Sequence, residues 1–250
     1  TYMTDKNHIR LENPSFRPQD YPSLTFSEQE WNWFAEACAD LEIPLDDDKR
    51  TRLEKLYSHL VGVNSWMNLT RLTSGGDYLK FHVLDSLVAM QHVEALSEPG
   101  DRILDLGSGG GYPGLPVMTW LPDLEYALLD CRQKKALFLA EAVKLTGCHE
   151  AFALGCRGRE IAKVRPDWRR TCQVMMARAV GRGVELLADA AEVLRKGGAF
   201  LLLKGPSYME QESEEFDKEC HHNGFDIEYE LPVALDNQDP DRYVICVRKL

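Results

Sequence analysis

From residue 101 to the end, the chain alternates between short apolar runs and longer stretches whose apolar positions recur every three or four residues. The first pattern predicts buried strands and the second predicts amphipathic helices. Strands are expected at Arg102-Ile103-Leu104, Leu124 to Asp130, Glu150 to Cys156, Thr171 to Met176 and Ala199 to Leu203. Helices are expected between them over Leu115 to Leu121, Arg132 to Thr146 and Val184 to Leu194. Lys196-Gly197-Gly198 reads as the turn into the fifth strand. A charged helix over Tyr208 to His222 and two alternating strands, Asp226 to Leu231 and Tyr243 to Arg248, complete the pattern. Strand and helix in alternation give a parallel sheet with helices on both faces.

Before residue 96 the pattern is helical. Ser27, with Glu30 three residues on, forms a capping box that opens a helix to about Leu41. Trp31, Phe34, Ala35 and Cys38 share one stripe of it. Asp46-Asp47-Asp48 places negative charge at the positive end of a second helix, whose apolar face is Leu53, Leu56, Tyr57, Leu60 and Val61. A third helix is expected from about Asp77 to Val93. Thr1 to about Pro22 is rich in Asn, Pro and charge. The expected organisation is a flexible arm over 1–22, a Rossmann-like domain over 96–250, and between them a helical region over 23–95 that packs on that domain.

Between the first of the strands and its helix lies Asp105-Leu106-Gly107-Ser108-Gly109-Gly110-Gly111-Tyr112-Pro113-Gly114. Strand, glycine turn and helix is the layout of a nucleotide-binding unit. Gly107, Gly109 and Gly111 let the backbone turn with positive φ and let a ligand approach without meeting a Cβ. Gly109-x-Gly111-x-x-Gly114 fits the dinucleotide pattern, and Asp130 follows at a suitable spacing. Asp105 points elsewhere, because a carboxylate before the first glycine repels a pyrophosphate. It suits a ligand with positive charge and no phosphate. S-adenosylmethionine has an ammonium and a sulfonium, and its ribose diol can bond Asp130. The competing structural reading makes both acids strand-end caps.

Ligands of such sheets lie outside the carboxyl ends of the strands. That selects Asp105, Asp130, Arg157, Arg178 and Lys204. Arg178 and Lys204 end apolar strands, where they either bind phosphate or a cofactor carboxylate, or pair with neighbouring acids. His82, Asp85 and Ser86 share one helix face. They either line the cleft or pin the helix to the sheet. Cys131 and Cys156 read as buried small residues. No Asn/Asp-Pro-Pro-aromatic tetrapeptide follows the fourth strand, which counts against an exocyclic adenine amine as acceptor. No Pro-Cys pair occurs, which counts against carbon-5 of a pyrimidine.

Composition narrows the classes. Hydrophobic residues are 44% of 250, enough for a packed core. No apolar run approaches the roughly 20 residues of a membrane span. Thr1 to Asp20 lacks an apolar signal core, and seven cysteines form no CxxC pair. A cytoplasmic protein with free thiols and no metal site is expected. The formal charge of −11 removes long-range steering toward phosphate, so a nucleic-acid partner requires a local basic patch. Five βα units, a helix and a terminal strand pair are the order of a class I S-adenosylmethionine-dependent methyltransferase: α/β, Rossmann-like, seven-stranded and mostly parallel, with an N-terminal helical extension.

Several motifs occur together and in order: Asn68-Leu69-Thr70, His82-x-x-Asp85-Ser86, and Asp105-x-Gly107-Ser108-Gly109-Gly110-Gly111-x-Pro113-Gly114-x-Pro116, then Leu129-Asp130, Arg178-Ala179 and Leu203-Lys204-Gly205. From about Asn64 to the C-terminus the chain thereby resembles the bacterial 16S rRNA guanine-N7 methyltransferases. The resemblance implies that Gly107, Tyr112, Gly158, Arg159 and Arg178 stand where the family holds S-adenosylmethionine. It implies a substrate guanine, the family's guanine 527, in 16S rRNA or the 30S ribosomal particle, met by a monomer with no membrane partner. Guanine N7 carries a free lone pair, so no general base is required, and Asn68, His82, Asp85 and Lys204 are the expected catalytic residues, acting by orientation and charge. The chain departs from the family in Asn64-Ser65-Trp66-Met67, in Phe81, in an added arm to about residue 26 and in its acidity. A small-molecule methyltransferase, a paralogue with another substrate, a nicotinamide-dependent reductase and a non-catalytic RNA-binding factor are the alternatives.

Overall fold

The computed structural model describes residues 15–235 and 240–250. Five strands run parallel: β1 (Arg102–Leu106), β2 (Glu125–Leu129), β3 (Glu150–Leu154), β4 (Cys172–Arg178) and β5 (Leu194–Lys204). Two more close the sheet: β6 (Phe225–Val233) and β7 (Arg242–Lys249), with β7 antiparallel to both its neighbours. The order across the sheet is β3-β2-β1-β4-β5-β7-β6. Chain order reverses between β1 and β4, so the crevice beyond their carboxyl ends is the expected ligand position.

Among the described residues, seven longer helices accompany the sheet. They are α1 (Glu28–Asp40), α2 (Asp47–Asn64), α3 (Asp85–Leu96), α4 (Gly114–Trp120), α5 (Gln133–Ala142), α6 (Gly183–Val193) and α7 (Ser213–His222). The two-residue period of the strands sorts their side chains. Val174 and Met176 join a core with Leu53, Tyr78 and Leu87, whereas Met175 and Ala177 join Leu187, Phe200 and Phe216 on the other face. The N-terminal helices therefore share a core with one face of the sheet. The capping box at Ser27 and Glu30 is formed in full, and Asp46 caps α2 by accepting from the Lys49 amide at 2.8 Å.

Four local differences from the sequence pattern have physical causes. The stretch before α3 starts at Gly75 and runs as a π-helix over Tyr78–Leu84. The expected turn at Lys196-Gly197-Gly198 lies inside β5, because Leu194 already pairs with Cys172 and the irregularity is absorbed at Gly197, φ +75°. The expected helix over Tyr208 to His222 breaks at Glu212 (φ −129°), whose carboxylate is engaged by Lys204 and by the Gly183 amide. The arm expected over 1–22 lies partly outside the described residues. From Ser15 it packs on α2: His59 Nε2 bonds the Phe16 carbonyl at 2.7 Å, and the Trp66 indole donates to the Tyr21 hydroxyl at 2.8 Å. Asp236 and Asp239, which the sequence places between the last two expected strands, lie outside the described residues.

Candidate active site

The glycine turn after β1 is held by two carboxylates. Asp105 is 1% exposed, and its Oδ2 accepts the Gly114 amide of α4 at 2.9 Å. Its Oδ1 is buried without a hydrogen-bond partner among the described residues. Burial pushes the Asp105 carboxyl up to about 6, against the opposing pull of nearby donors and Arg178. Asp130, just past β2, accepts the Gly109 amide at 3.1 Å and the Arg132 amide at 2.8 Å. Each acid thus holds backbone amides in place. Gly107 has φ +70°, and a Cβ there would meet Val180 Cγ2 at 2.6 Å, so the turn after β4 can approach only a glycine. Gly109 and Gly111 also have positive φ, +59° and +97°.

A cavity of about 260 Å³ opens beside this turn, at the carboxyl ends of β1, β2 and β3. Gly107, Gly158 and Arg159 line it, together with Cys131, Val180 and Asp189. Cys131 corrects the expectation of a buried small residue: the chain leaves the sheet after β2, and its thiol is exposed at the rim. Cys156 is buried. Asp189 on α6 accepts the Arg159 amide at 2.7 Å and fixes the Gly158-Arg159 turn. A Cβ on Gly158 would meet Asp189 Cβ at 2.8 Å. Sequence reasoning passed over Asp189, although an acid among Leu186, Leu187, Ala190 and Val193 was a usable signal.

Tyr112 and Arg178 lie on the other side of the glycine turn and do not line that cavity. The imidazole of His82 stacks on Tyr112 (4.5 Å, 17°), and the Arg178 guanidinium lies 5.6 Å from the same ring. Arg178 Nη1 donates to Asp85 Oδ2 at 2.6 Å and to the Phe81 carbonyl at 3.0 Å. His82 Nε2 bonds Thr70 Oγ1 at 3.0 Å, and the Ser86 hydroxyl donates to the His82 carbonyl at 2.6 Å. Burial, with Arg178 adding to it, brings the His82 imidazole down to about 4, so it is neutral at pH 7. Asp85 also meets Arg242 at 3.3 Å. Lys204 donates to the Gly181 carbonyl at 2.7 Å and pairs with Glu212 at 2.8 Å. Both strand-end cations are therefore ion-paired. Asn68 is exposed on the loop after α2.

S-adenosylmethionine fits this cleft by its donor set. Asp105 offers a buried unpaired carboxylate oxygen for a cation, Asp130 follows the next strand where a ribose diol is expected, and Gly107 lines the cavity with no side chain of its own. Among the described residues no group of three His, Cys, Asp or Glu side chains is placed to hold a metal ion, and no helix is long and apolar enough to cross a membrane.

The sheet order and the glycine cleft at its switch point define a class I methyltransferase fold. Solved structures share it. A ribosomal protein L11 methylase from Lactobacillus delbrueckii subsp. bulgaricus superposes with a TM-score of 0.50 at 13% identity, covering 66% of this chain and 77% of that one. A geranyl diphosphate methyltransferase superposes with a TM-score of 0.54 at 13% identity, covering 72% and 81%. The sequence is more specific: the model of the family described as rRNA small subunit methyltransferase G matches residues 49–238, and the chain belongs to that family. Ribosomal RNA small subunit methyltransferase G of Sorangium cellulosum is 36% identical over 181 residues, 72% of this chain and 74% of the relative. That of Lachnoclostridium phytofermentans is 30% identical over 218 residues, 87% and 88%.

Proposed function

We propose that the protein transfers a methyl group from S-adenosylmethionine to N7 of a guanine in 16S rRNA, the family's guanine 527. Family membership supports an rRNA substrate, and the charge around the cleft supports it independently. The chain as a whole carries −11. Yet Arg132, Lys134 and Lys135 follow β2, Arg157 follows β3 and Arg71 follows Thr70, and none of these side chains has an acidic partner among the described residues. The Lys135 amine reaches the glycine turn, 3.6 Å from where a Gly109 Cβ would stand. Unpaired cations on the loops after β2 and β3, with Arg157 lining the small cavity and Lys135 at the glycine turn, fit a polyanion. A small uncharged acceptor would leave them without purpose.

When bound, S-adenosylmethionine supplies a methyl group on a good leaving group, so the lone pair of guanine N7 is alkylated with no proton to remove. The side chains then have to orient rather than titrate. Asp105 would hold the cofactor's ammonium and Asp130 its ribose diol. His82, neutral and tied to Thr70, braces Tyr112 at the edge of the turn, and Arg178 locks the helix that carries His82 to β4. Asp85 places negative charge near the purine, where positive charge develops, and Lys204 and Asn68 hold the RNA side of the cleft.

The test is transfer of labelled methyl groups from S-adenosylmethionine to unmodified 16S rRNA and to 30S particles, followed by borohydride and aniline cleavage at 7-methylguanosine. One cleavage site is expected. Label in the RNA without cleavage moves the acceptor to another atom, and no label overturns the rRNA reading.

A further inference from the structure

A second cavity, of about 450 Å³, lies at the carboxyl ends of β4 and β5 and the start of β7. The turn after β4 forms a wall of both cavities: Val180 lines the smaller, Ala179 and Gly181 the larger. Ala179 holds φ +56°, a left-handed conformation uncommon for a residue with a Cβ, so its surroundings impose the shape of this wall. Apolar side chains such as Leu203 and Val88 form much of the larger cavity, and a few polar groups converge on it. That is the form of a small-ligand or base pocket.

The polar groups are mostly spent on one another. Asp85 is shared by Arg178 and Arg242. Glu212 differs: its Oε2 accepts from both Lys204 and the Gly183 amide, whereas Oε1 takes no hydrogen bond among the described residues. The Lys204 and Glu212 side chains are only 10% and 19% exposed. Lys204 uses two of its three N–H donors, on Gly181 and Glu212. The pair therefore presents one spare acceptor beside one spare donor, both mostly shielded from water.

We propose that this cavity receives the acceptor guanine, with Glu212 Oε1 accepting from its N1–H and N2–H and Lys204 Nζ donating to its O6. The proposal rests on the reading of an RNA guanine as substrate and adds the site that selects the base. Guanine's Watson–Crick edge offers two donors beside an acceptor, which this pair complements. Adenine offers an unprotonated N1 where Glu212 needs a donor, and an amine where Lys204 needs an acceptor. The order β1-β4-β5 puts Lys204, at the end of β5, on the far side of β4 from the glycine turn. A base held by its Watson–Crick edge on the β5 side keeps its adjacent Hoogsteen edge, with N7, free to face the glycine turn after β1. Such a base must leave the stack to enter, as nucleobases do for enzymes that act on them.

The experiment compares single-turnover methylation of two 16S rRNAs, one with guanosine and one with inosine at the mapped position. Inosine keeps N7, O6 and N1–H and lacks only the 2-amino group. The wild-type protein is expected to methylate the inosine RNA about ten- to hundredfold more slowly, the worth of one hydrogen bond to a charged group. Glu212→Gln keeps an amide oxygen for Gly183. It is expected to slow the guanosine RNA by a similar factor and to bring the guanosine-to-inosine ratio close to one. Its affinity for S-adenosylhomocysteine is expected to stay unchanged. Equal wild-type rates on the two RNAs overturn the assignment, as does discrimination that survives Glu212→Gln. Transfer to neither RNA overturns the substrate reading itself, and the base pocket with it.

Discussion

In the proposed function, Asp105 is the residue on which cofactor binding turns. Its carboxyl, held up to about 6 by burial, is mostly ionised at pH 7 and takes up its proton as pH falls through about 6, and a cationic ligand needs the ionised form. Affinity for S-adenosylhomocysteine, measured by calorimetry, is therefore expected to weaken as pH falls through about 6. Asp105→Asn should bind weakly and without that pH dependence. The same shift bears on the free protein. A carboxyl whose folded value lies above its ordinary value favours the fold while protonated, and that contribution is lost as pH rises through about 6. Asp105→Asn should thus melt at or above the wild type at pH 8 and lose the advantage by pH 4, followed by thermal unfolding. A pH-independent affinity in the wild type would remove Asp105 from the cofactor site. The position and acidity of Asp105 and Asp130 were legible in the sequence, since strand ends and a glycine turn are local features. Glu212 was not: it sits in a run of acids from Glu210 to Glu219, and only its contacts with distant Lys204 and Gly183 set it apart.

At the scale of elements, the decisive piece is the π-helical segment Tyr78–Leu84, joined to α3 at Asp85. Short π-helical insertions recur at functional sites. Where the wider coil narrows, the Phe81 and His82 carbonyls accept from Arg178 and from the Ser86 hydroxyl. Arg178 thus closes the helical join and ties it to β4 in one contact. The Arg178 and Asp85 side chains are 18% and 12% exposed, so breaking the pair leaves a charge with little water around it. Arg178→Ala is expected to cost about 3 kcal/mol in urea unfolding. Adding Asp85→Asn should return less than half of that, because Arg242 still compensates Asp85 in the single variant. Activity should fall in both variants, with cofactor affinity less affected than turnover. The strands and most helices were readable because burial imposes a period on the sequence, and β1, β2 and β4 lie within about two residues of expectation. A seven-residue π-helical segment does not change the apolar spacing enough to be seen. The break at Glu212 is imposed from outside its own helix.

Over the whole molecule, net charge and local charge point in opposite directions, and the difference can be measured. A protein of −11 is repelled by RNA at long range, so binding has to come from the cations around the cleft at short range. Arg71, Arg132, Lys134, Lys135 and Arg157 could each neutralise one phosphate, because none is spent on a neighbouring acid among the described residues. For single-stranded RNA each such contact adds about 0.7 to the slope of log affinity against log salt. The double variant Lys134→Gln/Lys135→Gln is accordingly expected to lower the slope by about 1.4 and to weaken RNA binding most at low salt. Both side chains lie on the first turns of α5, outside the larger cavity, so the guanosine-to-inosine ratio should not change. Filter binding of 16S rRNA fragments across a salt series gives the slope directly. An unchanged slope would mean that the RNA approaches from another face, and the cations around the glycine turn would then need a different anion to explain them.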